Sequence, residues 1–313
     1  MVAVKIVLRL YYDKDIERTL EAKEKVPISL CCFDREKKEL WNQIEMKAAE
    51  KLPCLPDSLK SKVSEFIRPF QSESVYWSRD HKRLLGLSGT DCYLTYKRIL
   101  CWKGDETIDR MQTAKKFAQD GNMDPETRFA VACTYFLEDE VLVLWHGDEE
   151  VNMRRLARNR INAAVRFWIK LLKKGSWRKT PWKAMVDRYF KIPHFRRLDV
   201  PLRVSCFFTY LSREGRRNYF VFLRENKVYP DDYCLCMQAM DETERMELVS
   251  SHPGKSLQNC LYWPFQSLFI EMVNRLWSHM DTVLFDSLLH NIICFCIFPG
   301  LDDFDYVGLF KEF

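Results

Sequence analysis

The residues of this 313-residue chain whose types and spacing could ligate a metal are two cysteine pairs, Cys234-x-Cys236 and Cys294-x-Cys296, with His290 one helical turn before Cys294. Zinc sites usually take two Cys-x-x-Cys pairs, or one with a pair of histidines. On a helix His290 and Cys294 share a face, and Cys296 turns about 160° away from Cys294 at 3.6 residues per turn. That does not close a tetrahedral site, so these residues read as core cysteines that act as small hydrophobes, and no metal is expected. The acidic runs Glu138-Asp139-Glu140 and Asp148-Glu149-Glu150 splay to different faces of a helix and read as solvated surface. Asp302-Asp303-x-Asp305 lacks the glycine and distal glutamate of a calcium loop. With ten glycines and neither Gly-x-Gly-x-x-Gly nor Gly-x-x-x-x-Gly-Lys, the chain has no phosphate-cradling loop. Gly-x-Ser-x-Gly and His-Glu-x-x-His are also missing. Twelve cysteines and six histidines allow many spatial pairs, but no local context marks one as a nucleophile and its base. No catalytic residue and no cofactor is expected.

Charge is the feature that points at a partner. Residues 151–230 carry 21 Lys+Arg against 4 Asp+Glu, whereas residues 231–313 carry 4 against 13. A modest total of +5 hides this separation. The basic side chains Arg154, Arg155, Arg158, Arg166, Lys170, Lys173 and Lys174 fall on the polar side of a helix expected over 152–174, and Arg178, Lys179 and Lys183 follow with Trp177 and Trp182 between them. Cations that neutralise phosphates, interleaved with rings that stack on bases, suit a nucleic acid. The same composition suits an anionic membrane surface or an acidic peptide. Against these stands an internal explanation: Trp168 and Trp182 lie on apolar stripes and read as core, and the acidic end can pack beside the basic middle and cancel its field. The reading adopted is a non-enzymatic helical interaction or scaffold protein that binds another protein, with an acidic partner as one option. The alternative is sequence-nonspecific nucleic-acid binding through 154–183, although no helix-turn-helix, RNP or zinc-finger motif accompanies it.

The elements that would position these residues are helices. Asp124-Pro125-Glu126 opens one with a capping carboxylate, a proline in the first turn and an acid at the positive dipole end. Thr180-Pro181 opens another, with Trp182, Met185, Val186 and Tyr189 on one face. Asp241-Glu-Thr-Glu244 has capping-box spacing. Met153, Leu156, Ala157, Ile161, Ala164, Val165, Trp168, Ile169 and Leu172 stripe the 152–174 helix, and Gly175 is placed to end it. Further helices are expected at 35–51, 59–70, 107–119, 201–211, 264–280 and 281–298. The alternation Val2, Val4, Ile6, Leu8, Leu10 predicts one short strand, which cannot make a sheet alone. The class is therefore all-α: an irregular, α-solenoid-like stack of helix pairs. A boundary near Gly121 divides a Lys/Glu-rich helical region, 1–120, from an aromatic-rich, repeat-like helical domain, 121–313. Ala132-Cys133-Thr134-Tyr135, Ser205-Cys206-Phe207-Phe208 and Asn259-Cys260-Leu261-Tyr262 share a pattern, but at unequal spacings.

The segment Arg128–Trp145, with Val165-Arg166-Phe167-Trp168 and Trp263-Pro264-Phe265-Gln266, resembles a multiplied group of arthropod proteins, most familiar from spiders, with ankyrin-like or other helical repeats. The resemblance covers roughly residues 90–313. It implies a helical fold and no activity, cofactor or substrate. The ankyrin signature Thr-Pro-Leu-His-x-Ala is absent here.

Lys5 and Arg9 interrupt the apolar start, so no secretory signal is expected. Val283–Phe298, the run most like a membrane span, is short of the about 20 apolar residues needed and reads as a buried core helix. Scattered cysteines in a chain of this size read as reduced thiols, which implies cytosol or nucleus.

Overall fold

At the start of the chain, positions three and four apart are buried rather than alternate ones. The computed structural model describes residues 2–25, 35–82, 84–85, 96–104, 107–147, 163–175, 180–190, 202–225, 230–261, 265–298 and 304–313. The fold is all-α; a lone bridge between Trp102 and Ile108 is the sole extended pairing among the described residues. The first helices are α1 (Val2–Tyr11), α2 (Lys14–Lys25), α3 (Arg35–Glu50), α4 (Asp57–Glu65) and α5 (Ile67–His81). Residues 2–10 are thus not the expected strand. Val4, Val7, Leu10 and Tyr11 form the buried face of α1, and Lys5 and Arg9 point to solvent. A lone strand would leave its N–H and C=O groups unmatched, whereas a helix satisfies them internally. Ile16 and Leu20 of α2, Trp41, Ile44 and Ala48 of α3, and Val63, Ile67 and Phe70 complete this N-terminal core.

The single helix expected at 59–70 is two, joined at Phe66, and α5 runs on to His81. Beyond Phe70 its buried face holds Gln71, Ser74, Trp77, Ser78 and His81. That stripe has helical spacing but mostly polar chemistry, so apolar periodicity does not detect it.

The central helices are α6 (Arg110–Gln119), α7 (Pro125–Thr134), α8 (Glu138–His146), α9 (Ala163–Lys173) and α10 (Trp182–Tyr189). The expected cap is present: Asp124 Oδ1 accepts the Thr127 N–H at 3.0 Å. Between α7 and α8, Phe136 takes a left-handed φ of 53°, unusual for a bulky residue. Its ring is locked among those of Phe167, Trp168, Trp182 and Phe207 at 4.7–5.9 Å. Of the helix expected at 152–174, α9 is the described part; Met153, Leu156, Ala157 and Ile161 lie outside the described residues. Ala164, Val165, Trp168 and Leu172 are buried as the stripe requires, Ile169 is half-buried, and Gly175 at φ 60° follows the end of the helix.

Residues 204–210, expected inside one helix, form two 3-10 turns, Val204–Cys206 and Phe208–Tyr210. The chain continues through α11 (Arg213–Glu225), α12 (Pro230–Gln238), α13 (Glu242–Ser251), α14 (Pro253–Cys260), α15 (Phe269–Leu276), α16 (Thr282–Asn291) and α17 (Tyr306–Glu312). A π-helical segment, Ile292–Ile297, extends α16. The run 283–298 is not the buried core helix expected of it: Leu288, Ile292 and Cys296 face the C-terminal core, while Val283, Phe295 and Phe298 are exposed. Among the described residues no helix is long and apolar enough to cross a membrane. Packing is densest between sequence neighbours, α2 on α3, α3 on α4, α6 on α7 and α7 on α8. Gly121 lies in the turn from α6 to α7, and one core cluster holds Trp77, Phe117 and Phe129 together.

Candidate functional site

The exposed cationic face is built by α9 and α10. Trp168 on α9 meets Trp182 on α10 at 5.8 Å between ring centroids, and Phe167 meets Tyr189 at 5.0 Å. Burying these rings turns the opposite sides of the helices outward. Arg166, Lys170, Lys173, Lys174 and Lys183 are all exposed. Lys170 Nζ lies 5.5 Å from the Tyr189 ring, and Lys183 Nζ lies 5.1 Å from the ring of Tyr210, itself 40% exposed. Arg166 is close enough to Tyr189 to oppose the rise in its phenol pKa that burial causes. None of these five cations has an ion-pair partner among the described residues. Arg154, Arg155, Arg158, Arg178 and Lys179, and Trp177 just before the last two, lie outside the described residues. Trp168 and Trp182 are core, as their stripes imply, and the Trp182 indole donates to Glu138 Oε2 at 2.8 Å.

Three other arginines of the basic middle are paired with carboxylates of the acidic end. Arg216 grips Glu244 through two bonds of 2.8 and 2.9 Å, and Arg213 meets Glu247 at 3.0 Å on the surface. Asp241 caps α13 through the Glu244 N–H as expected, and the Glu244 carboxylate goes to Arg216 instead of closing the box. Arg203, 2% exposed, pairs with Asp231 and lies 3.8 Å from Asp80.

That last contact belongs to a buried network which the sequence reading missed. Arg110 at the start of α6 donates to Glu73 of α5 at 2.7 Å, and its Nε sits 2.6 Å from Asp231 Oδ2. Burial would raise the Asp231 pKa, but Arg110 and Arg203 outweigh it and hold the carboxyl below its usual value. Asp80 is raised to about 6 by burial, against the pull of Arg203. Burial likewise raises Glu73 despite Arg110. Asp232 accepts the Val204 and Ser205 N–H groups at 2.8 and 3.0 Å and the Tyr219 hydroxyl at 3.1 Å, fastening the 3-10 turn to α12. His81 is neutral because burial and then Arg203 lower its pKa well below 6.5. Its Nδ1 lies 2.6 Å from the Trp77 carbonyl and so carries the proton; Nε2, 2.5 Å from the Tyr135 oxygen, then accepts from that hydroxyl. A signal was available: Glu73, Asp80 and His81 fall at i, i+7 and i+8, one face of a helix.

Five of the described cysteines are held in the thiol form by burial. Burial pushes the thiols of Cys206 and Cys260 up to about 12, and raises those of Cys133, Cys234 and Cys236. Cys294 Sγ and His290 Nδ1 are 3.6 Å apart, while Cys296 turns into the core. Among the described residues no three His, Cys, Asp or Glu side chains are grouped to hold a metal. Glu138, Asp139 and Glu140 occupy the first turn of α8 with separate surroundings, Glu138 on Trp182 and Glu140 3.5 Å from Lys115. Asp305 caps α17 through the Gly308 N–H; Asp148, Glu149, Glu150, Asp302 and Asp303 lie outside the described residues.

No family model, curated protein or solved structure matches the chain.

Proposed function

We propose that this chain is a non-enzymatic helical interaction protein and that the α9–α10 face, Arg166, Lys170, Lys173, Lys174 and Lys183, receives an acidic protein partner. The observation that carries the reading is selective neutralisation. Within one basic stretch, Arg203, Arg213 and Arg216 are each matched by a carboxylate of the acidic end, while these five, like Arg188 and Arg217, stand exposed without one among the described residues. An uncompensated cationic surface raises encounter rates with anions and selects among partners. The buried placement of Trp168 and Trp182 removes two of the rings that base stacking would use, which favours a protein over a nucleic acid. The titratable groups buried deepest, His81 and Asp232 among them, are engaged in holding helices together.

Fluorescence anisotropy tests this with labelled poly-glutamate and a labelled single-stranded oligonucleotide as probes. Wild type should bind poly-glutamate at low salt, bind the oligonucleotide more weakly, and lose both as salt screens the face. Changing Lys170, Lys173, Lys174 and Lys183 to Glu should weaken poly-glutamate binding at least about tenfold. Preference for the oligonucleotide would turn the reading to nucleic acid. No binding of either, or an unaltered affinity in the variant, would remove this face as the site.

A further inference from the structure

We propose a second docking surface, distinct from the α9–α10 face: the hollow along α1 takes a short acidic segment of a partner protein that carries an apolar anchor. Two adjoining depressions, of about 510 and 560 Å³, share Leu8 and Tyr12 and together form one shallow trough between α1 and residues 98–102. Its floor is apolar and aromatic, chiefly Leu8, Tyr12, Leu100 and Trp102. Its rim is cationic: Lys5 and Arg9 on one side, Arg98 and Lys116 on the other. All four cations are exposed, and none has an ion-pair partner among the described residues. Among the described residues no carboxylate lines either depression. Glu17, on the next helix, is engaged by Lys97 at 3.4 Å.

The floor is held in place before anything binds. The Trp102 indole donates to the Tyr12 hydroxyl at 3.2 Å, and that hydroxyl donates to the Lys97 carbonyl at 3.0 Å. Trp102 also packs on Phe70 at 4.4 Å between ring centroids, and Lys97 Nζ donates to the Tyr11 carbonyl at 2.7 Å beneath the trough. Rings fixed this way lose little freedom on binding, which favours affinity. The charge of the rim commits the occupant to an acidic one, and the floor commits it to an apolar side chain seated between the charges. A helix or short segment laid in an apolar groove with complementary charge at its edges is a recurrent recognition mode.

The test uses the full chain and a short fluorescein-labelled peptide of Asp and Glu around one Leu-Phe pair. A matched peptide with Ser-Ser in place of that pair is the control. Wild type should bind the first peptide at low salt, and the Ser-Ser peptide at least about tenfold more weakly. The exposed charge reversals Lys5→Glu with Arg9→Glu, and separately Arg98→Glu with Lys116→Glu, should each weaken the first peptide at least about tenfold. Lys170→Glu with Lys173→Glu should leave the preference for Leu-Phe over Ser-Ser unchanged, which separates this trough from the α9–α10 face. Equal binding of the two peptides, indifference to both rim variants, or stronger binding to phosphatidylserine vesicles or single-stranded DNA than to the peptide would each overturn the proposal.

Discussion

Asp80 and His81 are neighbours in sequence that respond to acid in opposite senses. Asp80 titrates at about 6 in the native protein against 3.8 in the free side chain. As pH falls through that window the folded chain binds a proton which the unfolded chain does not, so the native state gains stability. At about 1.36 kcal/mol per pH unit the full gain is about 3 kcal/mol. His81 works the other way. Its buried ring stays neutral while the unfolded imidazole takes a proton below 6.5, so stability is lost as pH drops from there. In wild type the two trends offset each other. Asp80→Asn deletes the gain and leaves the loss. Urea denaturation from pH 7 to pH 4 should therefore show the variant falling behind wild type by about 2–3 kcal/mol over the range. Parallel curves would mean that Asp80 does not titrate inside the native network.

At the scale of elements, what the sequence made legible follows from the chemistry of each buried stripe. The described part of α9 was readable because Ala164, Val165, Trp168 and Leu172 are apolar at helical spacing and Gly175 stands just past the end. The same stripe fixed which cations face outward, so Arg166, Lys170, Lys173 and Lys174 were found. The C-terminal half of α5 was not readable because it buries Gln71, Ser74, Ser78 and His81, and hydropathy ranks those as surface. The start of α1 misled because Val2, Val4, Ile6, Leu8 and Leu10 alternate by composition while Val4, Val7 and Leu10 are the positions that pack. The end of α9 gives a clean test of such punctuation. Gly175 sits at φ 60°, and a β-carbon built there meets nothing within 4 Å. Any cost of Gly175→Ala is then conformational, with no steric clash to confuse it. The variant should lose about 1–2 kcal/mol in chemical denaturation, and Gly175→Asn, whose side chain tolerates the left-handed region, should lose less. Equal and negligible losses would mean that the glycine does not set where α9 ends.

At the scale of the molecule, the basic middle and the acidic end are two parts of one charge system. Its internal half could not be read from the chain, because Arg203, Arg110 and Asp231 carry the signature of surface residues and meet only after folding. Arg203 is the junction. It pairs with Asp231 at the start of α12, lies 3.8 Å from Asp80 on α5, and stacks its guanidinium over Tyr135 at 5.6 Å. Arg203→Met keeps much of the bulk and removes the charge from beside buried carboxylates. Losing one partner of a buried pair costs about 3–5 kcal/mol, a large share of the roughly 5–15 kcal/mol that holds a folded domain. The loss arises from stranded negative charge rather than from a missing contact. Adding Asp80→Asn to Arg203→Met, which deletes one of those negative charges, should therefore return part of the stability. A double-mutant cycle in guanidinium chloride measures the coupling: a double variant more stable than the sum of the two single effects is expected. Strict additivity would mean that Arg203 and Asp80 do not interact across the fold, and the junction would then reduce to the Arg203–Asp231 pair alone.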